Sequence, residues 1–452
     1  MEQYEARGSA ALRELQRVLT REHNVPCRVV FYDNSQNTMP KFTFSLVDLP
    51  KKSVREGNCA AFVIPRGREH SFEFNAASAL QQLGEQAGFR RLIVVARGRG
   101  ANYENTAHLE AALSVLLPKL APRGGNRRQI IPLLSTGSQV EDIEATEVAK
   151  GDNWVVEDYQ APHHCSGHHD HSHSHEERPR RRLVFLDTDL TQSEAFLDAT
   201  NNSIDFGTLA CEYQYGFVAA LSQIRNVAGM LSGDSTECLN AAIVGVGAGS
   251  FPMFLRHRFG QEQLRLHSCD IDEEVVKAAR DHFGFAAPCD IEDGVQWTNR
   301  HIEQGTLFDV LVVDVNGDAA VGMTFPPADF VSDDIIENTW AKALKPFGAL
   351  VLNLVCRNEE LRTQVLGRLA CHFKTMFIYQ IPGHVNWTVL LVREPDGTTS
   401  DKQSDAALAT LLQGSGHEML HGVHEVRETR TRRSTAKRRK NKKKKKKIES
   451  AD

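Results

Sequence analysis

The sequence predicts an α/β protein: a Rossmann-like, doubly wound sheet of mainly parallel strands, preceded by a smaller α/β domain. Three observations carry this. Apolar runs of strand length recur at residues 241–244, 264–266, 289–291, 310–313 and 349–354, separated by stretches with helical spacing such as Val275, Val276, Ala279 and Phe283. Alternation of this kind builds a parallel sheet that takes ligands at the carboxyl ends of its strands. The first run then passes into three alternating glycines, in Ala241-Ala242-Ile243-Val244-Gly245-Val246-Gly247-Ala248-Gly249-Ser250. An acidic segment, Cys269-Asp270-Ile271-Asp272, follows about one βαβ half-unit later.

Each of these elements points to a nucleotide. Gly245, Gly247 and Gly249 tolerate backbone angles closed to other residues and lack side chains, so a cofactor can lie against the turn. Asp270, with Ile271 beside it, is placed to accept hydrogen bonds from both hydroxyls of a ribose. Ser250 occupies the position of the last glycine of the dinucleotide pattern, whereas the alternating spacing is the form S-adenosylmethionine enzymes commonly use. Asp293-Gly294 follows the third strand, where the carboxylate meets an adenine amino group or caps a helix. Asp314 ends the fourth strand, Phe308-Asp309-Val310-Leu311-Val312-Val313-Asp314, and faces the cleft opposite the glycines, where a carboxylate binds a cationic amine or takes its proton. Runs at 377–381 and 387–392, with Pro382-Gly383-His384 between them, read as the antiparallel hairpin that closes a seven-stranded methyltransferase sheet.

With these blocks in place the sequence resembles a known family. Val244-Gly245-Val246-Gly247-Ala248-Gly249-Ser250, Asp293-Gly294, Asp314-Val315, Gly322-Met323 with Pro326-Pro327, and Leu352-Asn353-Leu354-Val355-Cys356-Arg357 are similar to the C-terminal catalytic half of the elongation factor 1-alpha lysine and N-terminal methyltransferases. That family lies in the spermidine-synthase-like branch of S-adenosylmethionine enzymes. Blocks such as Phe62-Val63-Ile64-Pro65-Arg66 and Gln192-Ser193-Glu194-Ala195 extend the resemblance over roughly residues 42 to 395. It implies S-adenosyl-L-methionine as cofactor and elongation factor 1-alpha as protein substrate. Four departures qualify it. No loop with the alternating Gly-x-Gly-x-Gly spacing of 245–249 follows a strand in residues 1–180, so only the C-terminal activity is implied; Asp270 replaces the family's usual glutamate; Asn316 stands where an acidic residue is expected; and Tyr213-Gln214 replaces a His-His pair.

Residues 1–150 read as an N-terminal α/β domain, with an amphipathic helix on Leu12, Leu15, Val18 and Leu19 and strands at 28–32, 42–46, 60–64 and 92–95. It carries no catalytic motif and is expected to serve as a lid or docking wall. Residues 151–210 form a β-hairpin segment around a histidine-rich insertion at 162–175, which holds seven of the chain's nineteen histidines. It lacks the fixed ligand spacing of a rigid metal site. Residues 211–396 form the methyltransferase domain, and 397–452 an unstructured tail whose run at 430–447 carries thirteen Lys and Arg. Removing those thirteen from the 53 basic residues leaves 40 against 58 acidic ones, so the remainder is strongly acidic. Such a tail suits ribosome or RNA phosphates or a nuclear address. Nine scattered cysteines without a C-x-x-C pair, a start without a signal-peptide pattern, and no apolar run of 18 residues point to a cytoplasmic protein without membrane contact, with the nucleus as a second compartment.

The functional expectation is methyl transfer to a protein amine, the N-terminal α-amine or a lysine of elongation factor 1-alpha. Gly245, Gly247 and Gly249 hold the methionine portion, Asp270 and Ile271 the ribose side, and Asp293 with Gly294 the adenine. Asp314 orients or deprotonates the amine, and Tyr213 and Asn316 form the acceptor wall. Two alternatives stay open: a polyamine aminopropyltransferase, against which Asn316 and the lack of a D-S-S-D-P type loop argue, and a catalytically inactive ribosome-associated scaffold.

Overall fold

The computed structural model describes residues 2–36, 40–65, 77–98, 103, 106–123, 131–134, 145–160, 178–186, 191–198, 200, 202–224, 227, 238–317, 322–356, 358–380, 386–394 and 424–426. The histidine-rich insertion, the turn 382–384 and the polybasic run lie outside them. Contacts divide the chain into two units, Met1–Asp205 with Asp318–Gly322, and Phe206–Gly317 with Met323–Asp452.

The first unit holds two sheets. Six strands, β1 (Glu2–Arg7), β2 (Cys27–Tyr32), β3 (Phe42–Asp48), β4 (Cys59–Val63), β5 (Arg91–Arg97) and β6 (Leu133–Leu134), lie in the order β1-β2-β3-β5-β4-β6. Alternate residues face opposite ways along a strand. Phe42, Phe44, Leu46, Ile93 and Val95 therefore meet helices α1 (Gly8–Leu19) and α3 (Thr106–Leu120), while Val47, Leu92 and Val94 meet Leu80 of α2 (Ala77–Ala87). Four more strands, β7 (Ala145–Lys150), β8 (Trp154–Gln160), β9 (Pro179–Phe185) and β10 (Thr191–Phe196), form an antiparallel sheet in the order β10-β9-β8-β7. It is laced by cross-strand ion pairs, Arg182 with Glu157 at 2.9 Å and Arg181 with Asp158 at 2.7 Å, each between residues directly opposite in the register.

The second unit is the doubly wound sheet. Strands β11 (Leu239–Val244), β12 (Leu264–Asp270), β13 (Asp290–Ile291), β14 (Phe308–Val313) and β16 (Leu344–Cys356) run parallel, and β17 (Thr375–Gln380) and β18 (Trp387–Val392) close it antiparallel. The order is β13-β12-β11-β14-β16-β18-β17. Among the described residues two short strands join the expected seven: β15 (Met323–Phe325) pairs with β16, and β19 (His424–Val426), inside the stretch expected to be unstructured, pairs with the outer edge of β17. Neither has the length or alternation that would mark it in the sequence. One face of the sheet packs on α4 (Gln214–Ser222), α5 (Ser250–Gln263) and α6 (Glu273–Phe283) through Ala241, Ile243, Val310 and Val312. The other, through Ala242, Val244, Leu311 and Val313, meets α7 (Gly294–Glu303), Trp340 and α8 (Glu359–His372). Strand order reverses between β11 and β14, and their carboxyl ends open the crevice where such sheets take ligands.

Candidate active site

The three glycines sit in that crevice. Gly245, Gly247 and Gly249 have φ of +86°, +55° and +79°. At two of them a side chain is also excluded by space: a Cβ on Gly245 would lie 2.3 Å from the carbonyl oxygen of Asp314, and one on Gly249 would lie 2.6 Å from the Phe285 ring. The loop is therefore pressed against the end of β14, and Gly249 leads directly into α5.

Asp270 ends β12 with its carboxylate turned to this loop. Its Oδ2 accepts from the backbone N–H groups of Val246 at 2.8 Å and Gly247 at 3.2 Å, and its Oδ1 from that of Asp272 at 3.1 Å. Burial raises its pKa, and the three backbone hydrogen bonds oppose that by favouring the carboxylate. Beside it Ile271 is 71% exposed and Ile291, opposite Asp270 in the parallel pairing, 46%. Two large apolar side chains so placed at neighbouring strand ends suit a flat aromatic ring.

Asp293 is the N-cap of α7, its Oδ1 accepting from Val295 N at 3.1 Å and Gln296 N at 3.0 Å. Gly294 is required by packing, since a Cβ there would lie 2.2 Å from Val244 Cγ1.

Asp314 follows β14 and is the centre of a polar cluster. Tyr213 donates its hydroxyl to Asp314 Oδ2 at 2.8 Å, and Asn353 Nδ2 donates to Oδ1 at 2.8 Å. Asn386 Nδ2 in turn donates to Asn353 Oδ1 at 3.1 Å, which fixes the orientation of the Asn353 amide. Burial lifts the Asp314 pKa to about 6 against these two donors, and burial together with the Asp314 charge raises that of Tyr213. The second carboxylate of the same strand does different work. Asp309 lies at its amino end, accepting from Asn240 N at 2.8 Å and Lys345 Nζ at 2.7 Å, and so ties β11 and the start of β16 together.

The structure thus brings Tyr213 to Asp314, and Asp270 to the glycine loop. Asn316 it does not bring in: that residue is exposed, two positions past Asp314. Asn353 and Asn386 carried no assigned role in the sequence. The signal for Asn353 was a lone amide in the apolar run Leu350-Val351-Leu352-Asn353-Leu354-Val355, and in the fold it is only 1% exposed.

A sheet of this strand order, with a glycine loop after its first strand and an acidic residue closing its second, defines the class: the S-adenosylmethionine-dependent methyltransferase fold. S-adenosylmethionine is the cofactor of that class. No family model matches the chain. Over most of its own length it is homologous to the eEF1A lysine and N-terminal methyltransferases. It is 31% identical to that of Homo sapiens over 401 residues, 79% of this chain and 54% of that one. It is also 31% identical to that of Bos taurus over 395 residues (78% and 54%), and 28% identical to the Drosophila melanogaster homolog over 364 residues (77% and 50%). The chain spans about half the length of the curated relatives it matches. Among solved structures, human methyltransferase-like protein 13 in complex with SAH is 26% identical with a TM-score of 0.40, over 50% of this chain and 100% of that one. A probable spermidine synthase from Corynebacterium glutamicum is 17% identical with a TM-score of 0.42, over 64% and 91%.

Proposed function

We propose that this chain transfers methyl groups from S-adenosylmethionine to a protein amine, and that the acceptor is the N-terminal α-amine of elongation factor 1-alpha. The observation that carries the reading is the Asp314 carboxylate, held by Tyr213 and Asn353 at the end of β14 with its carbonyl against Gly245. When bound, S-adenosylmethionine supplies a methyl group on a positively charged sulfur. An amine reacts only as the neutral base, so a group that accepts its proton or orients its N–H is needed.

With a pKa of about 6, Asp314 is mainly ionised at neutral pH and accepts an amine N–H. Tyr213, whose pKa is raised, stays protonated and keeps donating to it. The residues around the loop fit the cofactor. Asp270 Oδ1 takes a single backbone N–H, and a carboxylate offers about four acceptor positions, so one remains there for a ribose hydroxyl. Ile271 and Ile291 would flank the adenine, Asp293 keeps Oδ2 beyond its cap, and the glycines leave room for the methionine portion. The names of the relatives support the choice of protein, and the acidic excess outside the tail favours a basic partner. We place the thirteen basic residues of 430–447 on RNA phosphates, as a ribosome contact.

The test is intact-mass analysis after incubation with S-adenosylmethionine and a peptide of the factor's N-terminus. Acetylating the α-amine is expected to abolish methylation, while replacing internal lysines by arginine is not. Transfer to the acetylated peptide, lost on removal of one lysine, reassigns the acceptor to that lysine. Absence of transfer to peptide and to whole factor overturns the reading.

A further inference from the structure

Asp314 is mainly ionised at neutral pH, and an ionised carboxylate only accepts hydrogen bonds. Asn353 must therefore turn the NH₂ end of its amide to Asp314 Oδ1, where the separation is 2.8 Å. That choice fixes the other end: Asn353 Oδ1 points away from the carboxylate, in a residue only 1% exposed, and needs a donor of its own. Asn386 Nδ2 supplies it at 3.1 Å. The side chains form a directed relay in which each amide N–H points toward Asp314, while the Tyr213 hydroxyl donates to the second carboxylate oxygen at 2.8 Å. Reversing either amide sets oxygen against oxygen. The outer member of the relay is held by strand pairing. Asn386 is half-buried and directly precedes β18. Trp387, next in the chain, pairs with Leu354 of β16, and its ring carries the Arg362 guanidinium of α8 at 4.4 Å. Arg362 Nη1 donates to the Cys356 carbonyl at 3.0 Å, at the end of the same β16 that bears Asn353.

We propose that Asn386 is a positioning residue for methyl transfer: by holding the Asn353 amide in one of its two orientations, it keeps a donor on Asp314 and leaves that carboxylate's remaining acceptor positions to the incoming amine. The inference rests on the methyltransferase reading above and deepens it by assigning a residue that acts on the carboxylate through another side chain. An amide whose oxygen loses its partner is free to turn over, because its two ends have nearly the same size. The turned form presents oxygen to Asp314, repels the ionised carboxylate and raises its affinity for a proton.

Asn386→Leu keeps the shape of the side chain and removes the donor. The deciding measurement is the NMR titration of the Asp314 carboxyl carbon, assigned by its loss in Asp314→Asn, in protein without cofactor or peptide. Tm, the calorimetric Kd for S-adenosylhomocysteine and kcat accompany it. The titration midpoint should rise by about one pH unit, since a hydrogen bond to a charged group is lost. Turnover at neutral pH should fall roughly twofold or more, with Kd unchanged. In an Asn353→Leu background the same substitution should move the midpoint no further, because its route to Asp314 is gone. A wild-type midpoint in the folded variant overturns the proposal, and a lowered Tm beside it marks a structural role. A raised midpoint with unaltered kcat also overturns it, as does an equal further rise in the Asn353→Leu background. If Asn386→Leu does not fold, Asn386→Ala, which also lacks the donor, is judged by the same outcomes. If the wild type methylates neither peptide nor factor, the methyltransferase reading falls, and the titration still decides whether Asn386 orients Asn353.

Discussion

At Asp314 burial and hydrogen bonding pull in opposite directions, and burial wins: the pKa stands at about 6 although Asn353 and Tyr213 both donate to the carboxylate. A carboxylic acid whose pKa is higher folded than unfolded binds more protons in the folded state, so this group lowers stability as pH rises from the ordinary aspartate value of 3.8 towards 6. Asp314→Asn should flatten that part of the stability-versus-pH curve, which denaturant titrations between those limits would measure. The same substitution should lower kcat by about a hundredfold or more while sparing S-adenosylhomocysteine affinity, since the lost interaction belongs to the reacting amine. In the wild type kcat/KM should show an inflection near 6, below that of the acceptor amine itself, and in the variant the lower inflection should vanish. A variant that keeps wild-type turnover removes Asp314 from the acceptor chemistry.

Elements converge on the site by way of backbone that cannot carry side chains. With φ at +86° and the Asp314 carbonyl oxygen where a Cβ would go, Gly245→Ala should displace the loop from β14 and weaken S-adenosylhomocysteine binding by at least about tenfold, as calorimetry would show. Helix α7 begins on Asp293, which makes cap and cofactor contact separable. Asp293→Ser keeps a capping oxygen, so Tm should hold, whereas Asp293→Ala should cost about 1 kcal/mol. If the carboxylate also meets the adenine, the serine variant binds S-adenosylhomocysteine several-fold more weakly; equal affinity leaves Asp293 a cap alone. In the first unit Arg91 is fully buried, its guanidinium bonding both oxygens of Asp48 and the carbonyls of Leu19, Arg21 and Leu120. It therefore locks the carboxyl ends of α1 and α3 to strands β3 and β5. Arg91→Met should destabilise this unit by roughly 3–5 kcal/mol, because Asp48 is left buried without its partner. Arg91→Lys should not rescue it, lacking the planar fork, and chemical denaturation distinguishes the three proteins.

Over the whole molecule charge is segregated, with thirteen of 53 basic residues inside 430–447 and an acidic remainder. Truncation after Thr429 should leave peptide turnover unchanged and weaken RNA or ribosome binding, most visibly at low salt, where phosphate contacts are least screened. Equal loss of turnover would make the tail part of the enzyme. The amino-acid sequence by itself determined what depends on local pattern. The five parallel strands, the glycine loop and the acidic end of β12 are all written in neighbouring residues, because helical and strand periodicity and positive φ are short-range constraints. Only the tertiary structure decided the polar cluster. Tyr213 lies 101 residues from Asp314 and Asn353 lies 39 away, and it is strand order, not sequence spacing, that brings them within 2.8 Å. Asn316 shows the converse: two residues from Asp314 in the chain, it is past the end of β14 and turned to solvent. Proximity along the chain fixes a side chain's neighbours only while the backbone keeps a regular repeat, and beyond the strand's last residue packing of the whole unit chooses which groups meet.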